Sequence, residues 1–285
     1  MSDITPAAKA YYLPQPSSWP AIGATALLLT AIGAATWINR GAAGPYVLTA
    51  GGALLALMLF GWFGTVIQES EHGLYGAQVE RSYRRAMGWF IFSEAMFFGA
   101  LFGALFYMRW HAVPDLASGA TADLWPGFQR SWPASGPAID GTLASMHPTG
   151  IPLINTLILL ASGATLHWAG WGLKKSARGQ LKVGLMLTVG LGVVFLCLQA
   201  SEYHHAYTAL GLTLGSGAYG ATFFMLTGFH GLHVAIGATV LAVILVRSLR
   251  GDFTPNDHFA FNAASWYWQF VDVVWLLLFV LVYCL

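Results

Sequence analysis

Seven long apolar blocks divide this chain, each close to the roughly 20 residues that a helix needs to cross a ~30 Å hydrocarbon core. They predict helices over about 21–38, 46–67, 88–108, 153–173, 181–200, 218–246 and 264–284. Trp19-Pro20 precedes the first block and Gly44-Pro45 the second, where proline suits a first helical turn and tryptophan a membrane interface. A charged stretch separates the second and third blocks, and a long one rich in Gly, Pro, Ser and Trp follows the third. Loops of that length usually bind something or pack on a partner. The expected organisation is an N-terminal segment 1–20, a two-helix bundle 21–67, a charged connection 68–85, and a five-helix bundle 86–285 that carries the loop 110–152. No soluble domain and no tandem repeat interrupts it, so the fold class is all-α, a polytopic integral membrane protein.

Composition agrees and narrows the options. Hydrophobic residues make up 56% and charged residues 9%, against about 25% charged in ordinary soluble domains, and mean hydropathy is +0.61. A net charge of +1 offers no basic stripe to neutralise phosphates, which argues against nucleic acid. Lys9, Arg81, Arg84, Arg85, Lys174, Lys175, Arg178, Lys182, Arg247 and Arg250 fall on one side of the seven spans. Only Arg40, Arg109 and Arg130 fall on the other, so the positive-inside rule puts the N-terminus in the cytoplasm and the long loop and C-terminus outside. Residues 1–20 lack the basic and apolar regions of a signal peptide. Cys197 and Cys284 lie in apolar blocks and read as small core hydrophobes, with no disulfide or thiolate site implied.

Against this background, polar residues inside the blocks carry the chemistry. Glu94 sits in the third block, where an ionised carboxylate costs on the order of 2.5 to 3.5 kcal/mol. It must be protonated, hydrogen-bonded or turned inward, as a functional acid or as a satisfied interhelical contact. His230 and His233 are three apart on one helical face. They read as interhelical or lipid-facing hydrogen-bonding groups, with metal or haem-edge ligation as the alternative, and Gly228 and Gly231 beside them suggest close helix approach. Asp272, with Trp266, Trp268 and Trp275 around it, reads as a structural acid, the indoles serving as an aromatic belt and as donors to an acid or to lipid head groups. Glu69, Glu71 and Glu202 end blocks, where solvent or head-group contact is the ordinary expectation, and His204 and His205 read as interfacial. The seventh block has no lysine for a retinal Schiff base, and no GxxxxGK[ST] nucleotide loop occurs. No cofactor or metal site is expected in this chain.

Several stretches carry a resemblance to a known family. FIFSEAMFFGALFGALFY around Glu94, PLINTLILLASGATLHWA from Pro152, LCLQASEYHHAYT from Leu196, GAYGATFFMLTGFHGLHVAIGATVL from Gly217 and DHFAFNAASWYWQFVDVVWLLLFV from Asp257 closely resemble subunit III of haem-copper cytochrome c oxidases. The opening YYLPQPSSWP is similar to the family's start of its first helix. The likeness implies seven helices in a two-plus-five arrangement around a cleft filled with phospholipid. It implies a subunit of an aa3-type oxidase in a bacterial inner membrane that carries no redox centre. Haem a, haem a3 and copper then belong to partner subunits. Subunit I is the main contact, with subunit II, small accessory subunits, cytochrome c as donor and a respiratory supercomplex as further partners.

By matching position, the resemblance implies that Glu94 is the cleft carboxylate tied to proton chemistry. It also implies that Glu69, Arg84, Arg247, Arg250 and His258 lie where structural phospholipids bind, since cations at the cytoplasmic face attract phosphate head groups at roughly 1 kcal/mol each. Some positions depart from the family. Trp62-Phe63-Gly64-Thr65 and Gly73-Leu74-Tyr75 stand where it usually has Trp-Arg-Asp and Gly-His-His, and Gly170-Trp171 replaces a His pair. A related quinol oxidase, whose subunit III lacks the first two helices, and a free-standing seven-helix transporter are the alternatives.

Overall fold

The computed structural model describes residues 12–13, 15–137, 143, 145–255 and 257–285. Lys9 and most of the N-terminal segment lie outside the described residues. Among those described, seven helices are long and apolar enough to cross a membrane. We label them α1 (Trp19–Ile38), α2 (Gly44–Glu71), α3 (Ala77–Tyr107), α4 (Ile151–Lys174), α5 (Arg178–Thr208), α6 (Gly217–Arg250) and α7 (Phe259–Leu278). A π turn, Met108–Ala112, and a helical turn, Val113–Leu116, continue α3, and a second π turn, Phe279–Cys284, continues α7.

The helices outrun the apolar blocks that announced them. Hydropathy marks the part of a helix that needs lipid, whereas backbone hydrogen bonding continues into the head-group zone. The connection expected over 68–85 is therefore mostly helix: α2 runs to Glu71 and α3 begins at Ala77. The long loop likewise starts as helix, with a further short piece at Gly119–Ala122. Helix α6 stops at Gly251, whose φ of +92° suits only glycine comfortably and whose N–H bonds back to the Arg247 carbonyl.

Residues 1–85 and 86–285 form two compact units. In the first, α1 and α2 approach through glycine. A Cβ on Gly33 would lie 2.3 Å from the Leu48 nitrogen, and one on Gly44 would lie 2.4 Å from the Trp37 nitrogen. Small residues allow this contact, and in lipid van der Waals packing replaces the hydrophobic effect as the force between helices. Thr25, Thr30, Thr36 and Thr49 each donate to the carbonyl four residues back, so none of these four hydroxyls is left unsatisfied toward lipid.

The second unit has a true interior. Trp268 and Trp275 are completely buried beside Phe195, Leu159 and Leu278. Their indoles do not donate to Asp272, as their sequence proximity suggested. Trp268 Nε1 donates to Ser162 Oγ at 2.9 Å and Trp275 Nε1 to Thr156 Oγ1 at 2.9 Å, tying α7 to α4. Gly192 and Gly237 make room for the Trp268 ring. Helices α4 and α5 approach where a Cβ on Gly184 would meet the Thr165 carbonyl at 2.9 Å, beside a 2.8 Å contact between the Thr165 and Thr188 hydroxyls. Gly231, by contrast, meets nothing within 4 Å, and Gly228 only the Tyr203 hydroxyl at 3.5 Å, so the close contacts lie elsewhere. Cys197 and Cys284 are exposed on the helix surfaces and not in the core, because apolar helices in lipid turn hydrophobic residues outward as well as inward.

Candidate functional site

Within the five-helix unit, α3 and α6 bring Glu94 and His233 together. His233 Nε2 and Glu94 Oε2 are 2.9 Å apart. The other ring nitrogen, Nδ1, lies 2.6 Å from the Phe229 carbonyl. A carbonyl only accepts, so Nδ1 carries a hydrogen. The Glu94 contact then needs one proton between its two atoms. Either the carboxyl donates to neutral imidazole, or imidazolium donates to carboxylate. The pair is neutral overall in both forms, which suits its depth in a membrane helix.

Aromatic rings enclose this proton. The Phe98 ring stands edge-on to His233 at 5.0 Å, and Phe97 and Tyr267 stack near it at 6.1 and 6.4 Å. The Tyr267 hydroxyl donates to the His233 carbonyl at 3.4 Å. The side chains of His233 and Glu94 keep 11% and 22% exposure, so the pair is sheltered without being sealed.

His230 parts company with its neighbour. It is buried, with Nε2 3.3 Å from the Val271 carbonyl and its ring between Phe195 and Trp275 at 5.7 and 5.1 Å. A lipid-facing His230 is thus corrected to an interior one, because a three-residue step turns it toward α5 and α7 while His233 meets α3. The two imidazoles do not converge as ligands on one ion or haem edge. Among the described residues, no group of three or more His, Cys, Asp or Glu is arranged to hold a metal.

The remaining expected residues lie apart from this pair. The Asp272 carboxylate occupies the space that a side chain on Gly163 would need, 2.8 Å from its Cβ position. Arg247, expected near lipid, is largely buried; it bonds Asp252 through Nε at 3.3 Å and lies 4.8 Å over the Phe253 ring. Arg250 is exposed and His258 half-buried. Glu202 is corrected from solvated to buried, at 1% exposure, because α5 continues past the apolar block that seemed to end there. His204 and His205 are exposed on the same helix.

In the first unit, Arg84 bonds Glu80 one turn back at 2.6 Å. The Tyr75 hydroxyl donates to Glu69 Oε2 at 2.7 Å, with the Tyr12 and Tyr83 rings 5.6 and 5.4 Å away. Burial first, and the Glu69 carboxylate second, push the Tyr75 phenol far above its ordinary range, so it remains a donor. Sequence reasoning missed Tyr75. Its only signal was its place in the five-residue connection next to Glu69.

Seven helices long and apolar enough to cross a membrane, with an acid–imidazole contact inside the larger bundle, define a multi-pass membrane protein. The sequence profile of cytochrome c oxidase subunit III matches residues 9–285. Proteins named cytochrome c oxidase subunit 3 from Latimeria chalumnae and Struthio camelus are 41% and 40% identical over 277 residues, 97% of both chains. That from Hippopotamus amphibius is 40% identical over 275 residues, 96% of both chains. The chain belongs to the cytochrome c oxidase subunit III family, and so to the subunits of an oxidoreductase complex.

Proposed function

We propose that this chain is the non-redox subunit III of an aa3-type cytochrome c oxidase in a bacterial plasma membrane, where it packs on subunit I, holds structural phospholipid and sustains proton uptake. The observation that carries this reading is the 2.9 Å contact between Glu94 and His233. One proton moves between acid–imidazole and carboxylate–imidazolium forms without changing the pair's net charge. Taking up a further proton makes the pair cationic, and releasing one makes it anionic. Such a site holds or passes protons while rings keep bulk solvent away.

Haem a, haem a3 and copper belong to the partner subunits in this reading. Subunit II, small accessory subunits and cytochrome c complete the assembly, and a supercomplex is its larger setting. The N-terminus is cytoplasmic, supported by the bias of Lys and Arg along the sequence. Bound phospholipid is supported by the exposed Arg250 and the half-buried His258 near the same end of the bundle. Glu69 and Arg84 are the corresponding polar residues of the first unit. A bacterial origin is supported by the abundance of alanine and glycine.

Purification in mild detergent through a tag on this chain tests the proposal. A reduced-minus-oxidised spectrum with stoichiometric haem a bands is expected. A colourless, monodisperse single chain contradicts it and favours a free-standing transporter; a haem-containing complex oxidising quinol but not cytochrome c points to a quinol oxidase.

A further inference from the structure

A second polar cluster lies within the five-helix unit, in the last turns of α5 and the π turn after α7. Gln199, Glu202 and Tyr283 are 6%, 1% and 5% exposed. Both side-chain atoms of Gln199, both carboxyl oxygens of Glu202 and the Tyr283 hydroxyl are buried without closing a well-formed hydrogen bond to the protein. Yet the three belong together. The Tyr283 hydroxyl faces both Gln199 and Glu202, and those two are three residues apart on one face of α5.

The surroundings hold the cluster in place. Tyr283 packs against Phe223, Trp275 and Phe279, with ring centroids 5.7, 6.0 and 6.4 Å away. Thr227 donates its own hydroxyl hydrogen to the Phe223 carbonyl, so Tyr203, the next residue after Glu202, gives its proton to Thr227 at 2.7 Å and not to the Glu202 carboxyl. The π turn that carries Tyr283 belongs to a class of distortion common at functional sites. Arg109 secures that turn by donating from Nη2 to the main-chain oxygen of Leu285.

We propose that Gln199, Glu202 and Tyr283 form an internal hydration site, with ordered water bridging the amide, the carboxyl and the phenol. The chemistry of the set selects water. Its members need both donors and acceptors, and a buried water typically supplies about three hydrogen bonds to otherwise unsatisfied groups. A cation would satisfy the oxygens only and leave the Gln199 amide N–H groups without an acceptor. Its four available oxygens also fall short of the six to eight that a calcium ion takes. The site is separate from Glu94 and His233 and does not rest on their role.

The native complex, imaged at a resolution that shows waters, tests this directly. Density between the three side chains is expected. Side chains bonded directly to one another with nothing between them would overturn the proposal. Two variants extend the test. Glu202→Met removes the carboxyl at similar volume and should lower the thermal midpoint of the subunit, because the bridge is broken and Gln199 and Tyr283 are stranded. Glu202→Gln should keep both density and midpoint. If the site is dry, Glu202→Met instead raises the midpoint by removing an unsatisfied polar group. A midpoint that moves with the identity of the added Na+, K+ or Ca2+ at constant ionic strength assigns a cation site and also overturns the proposal.

Discussion

The two-helix unit and the five-helix unit solve the problem of holding helices together in lipid differently. In the first, α1 and α2 meet through Gly33, Gly44 and Gly51, and almost nothing else is buried. In the second, tryptophan indoles, hydroxyls, an acid–imidazole pair and buried amides lie inside the bundle. Backbone contact through glycine leaves no room for a titratable side chain between α1 and α2 where those glycines meet. The acid–imidazole contact lies in the larger unit, whose bulky aromatic residues make an interior that polar groups can share.

The contrast is easiest to break at glycine. Gly33→Leu should abolish the α1–α2 contact, at a cost at or above the ~3 kcal/mol upper end of ordinary overpacking, since the clash is with backbone. Disulfide cross-linking between cysteines placed on the two helices should fail in that variant and survive in Gly52→Leu, where nothing lies within 4 Å. In the larger unit, the matching weak point is polar. Trp268→Phe removes the donor to Ser162 and should lower stability by ~1 to 3 kcal/mol, read from the thermal midpoint of the purified complex. An unchanged midpoint would mean that shape alone holds α4 against α7.

Glu94→Gln comes next. It should leave assembly and haem content intact while reducing proton uptake or phospholipid retention, measured as pH-dependent turnover and as lipid per complex. An enzyme unchanged on both counts reduces Glu94 to a packing residue. The smallest effect belongs to the first unit, where Tyr75→Phe removes one partly exposed hydrogen bond to Glu69 worth about 1 kcal/mol or less. Because folding raises the Tyr75 phenol, its contribution is present below the free value near pH 10. Above that, the unfolded chain releases a proton that the folded chain keeps, and stability falls. The alkaline loss of stability should be shallower in Tyr75→Phe.

How much of this was legible beforehand depends on whether the signal was local. Seven spans could be read because each is a continuous apolar block, and Glu94 because a carboxylate interrupts one. The helix ends could not, since hydrogen bonding carries α5 past its apolar block to Thr208 and so buries Glu202. The pairing of Glu94 with His233 was out of reach for another reason: 139 residues separate them, and only the packing of α3 near α6 brings them together. The histidine spacing announced interhelical hydrogen bonds but not their partners, because His230 and His233 share a face of the helix yet reach different neighbours.

The most direct test of the shared proton is a double-mutant cycle on Glu94→Gln and His233→Gln, with the pH profile of turnover as its readout. If the two residues act as one site, each single variant shifts the profile and the double variant adds little to either. Fully additive shifts would show that Glu94 and His233 work independently and would contradict the account.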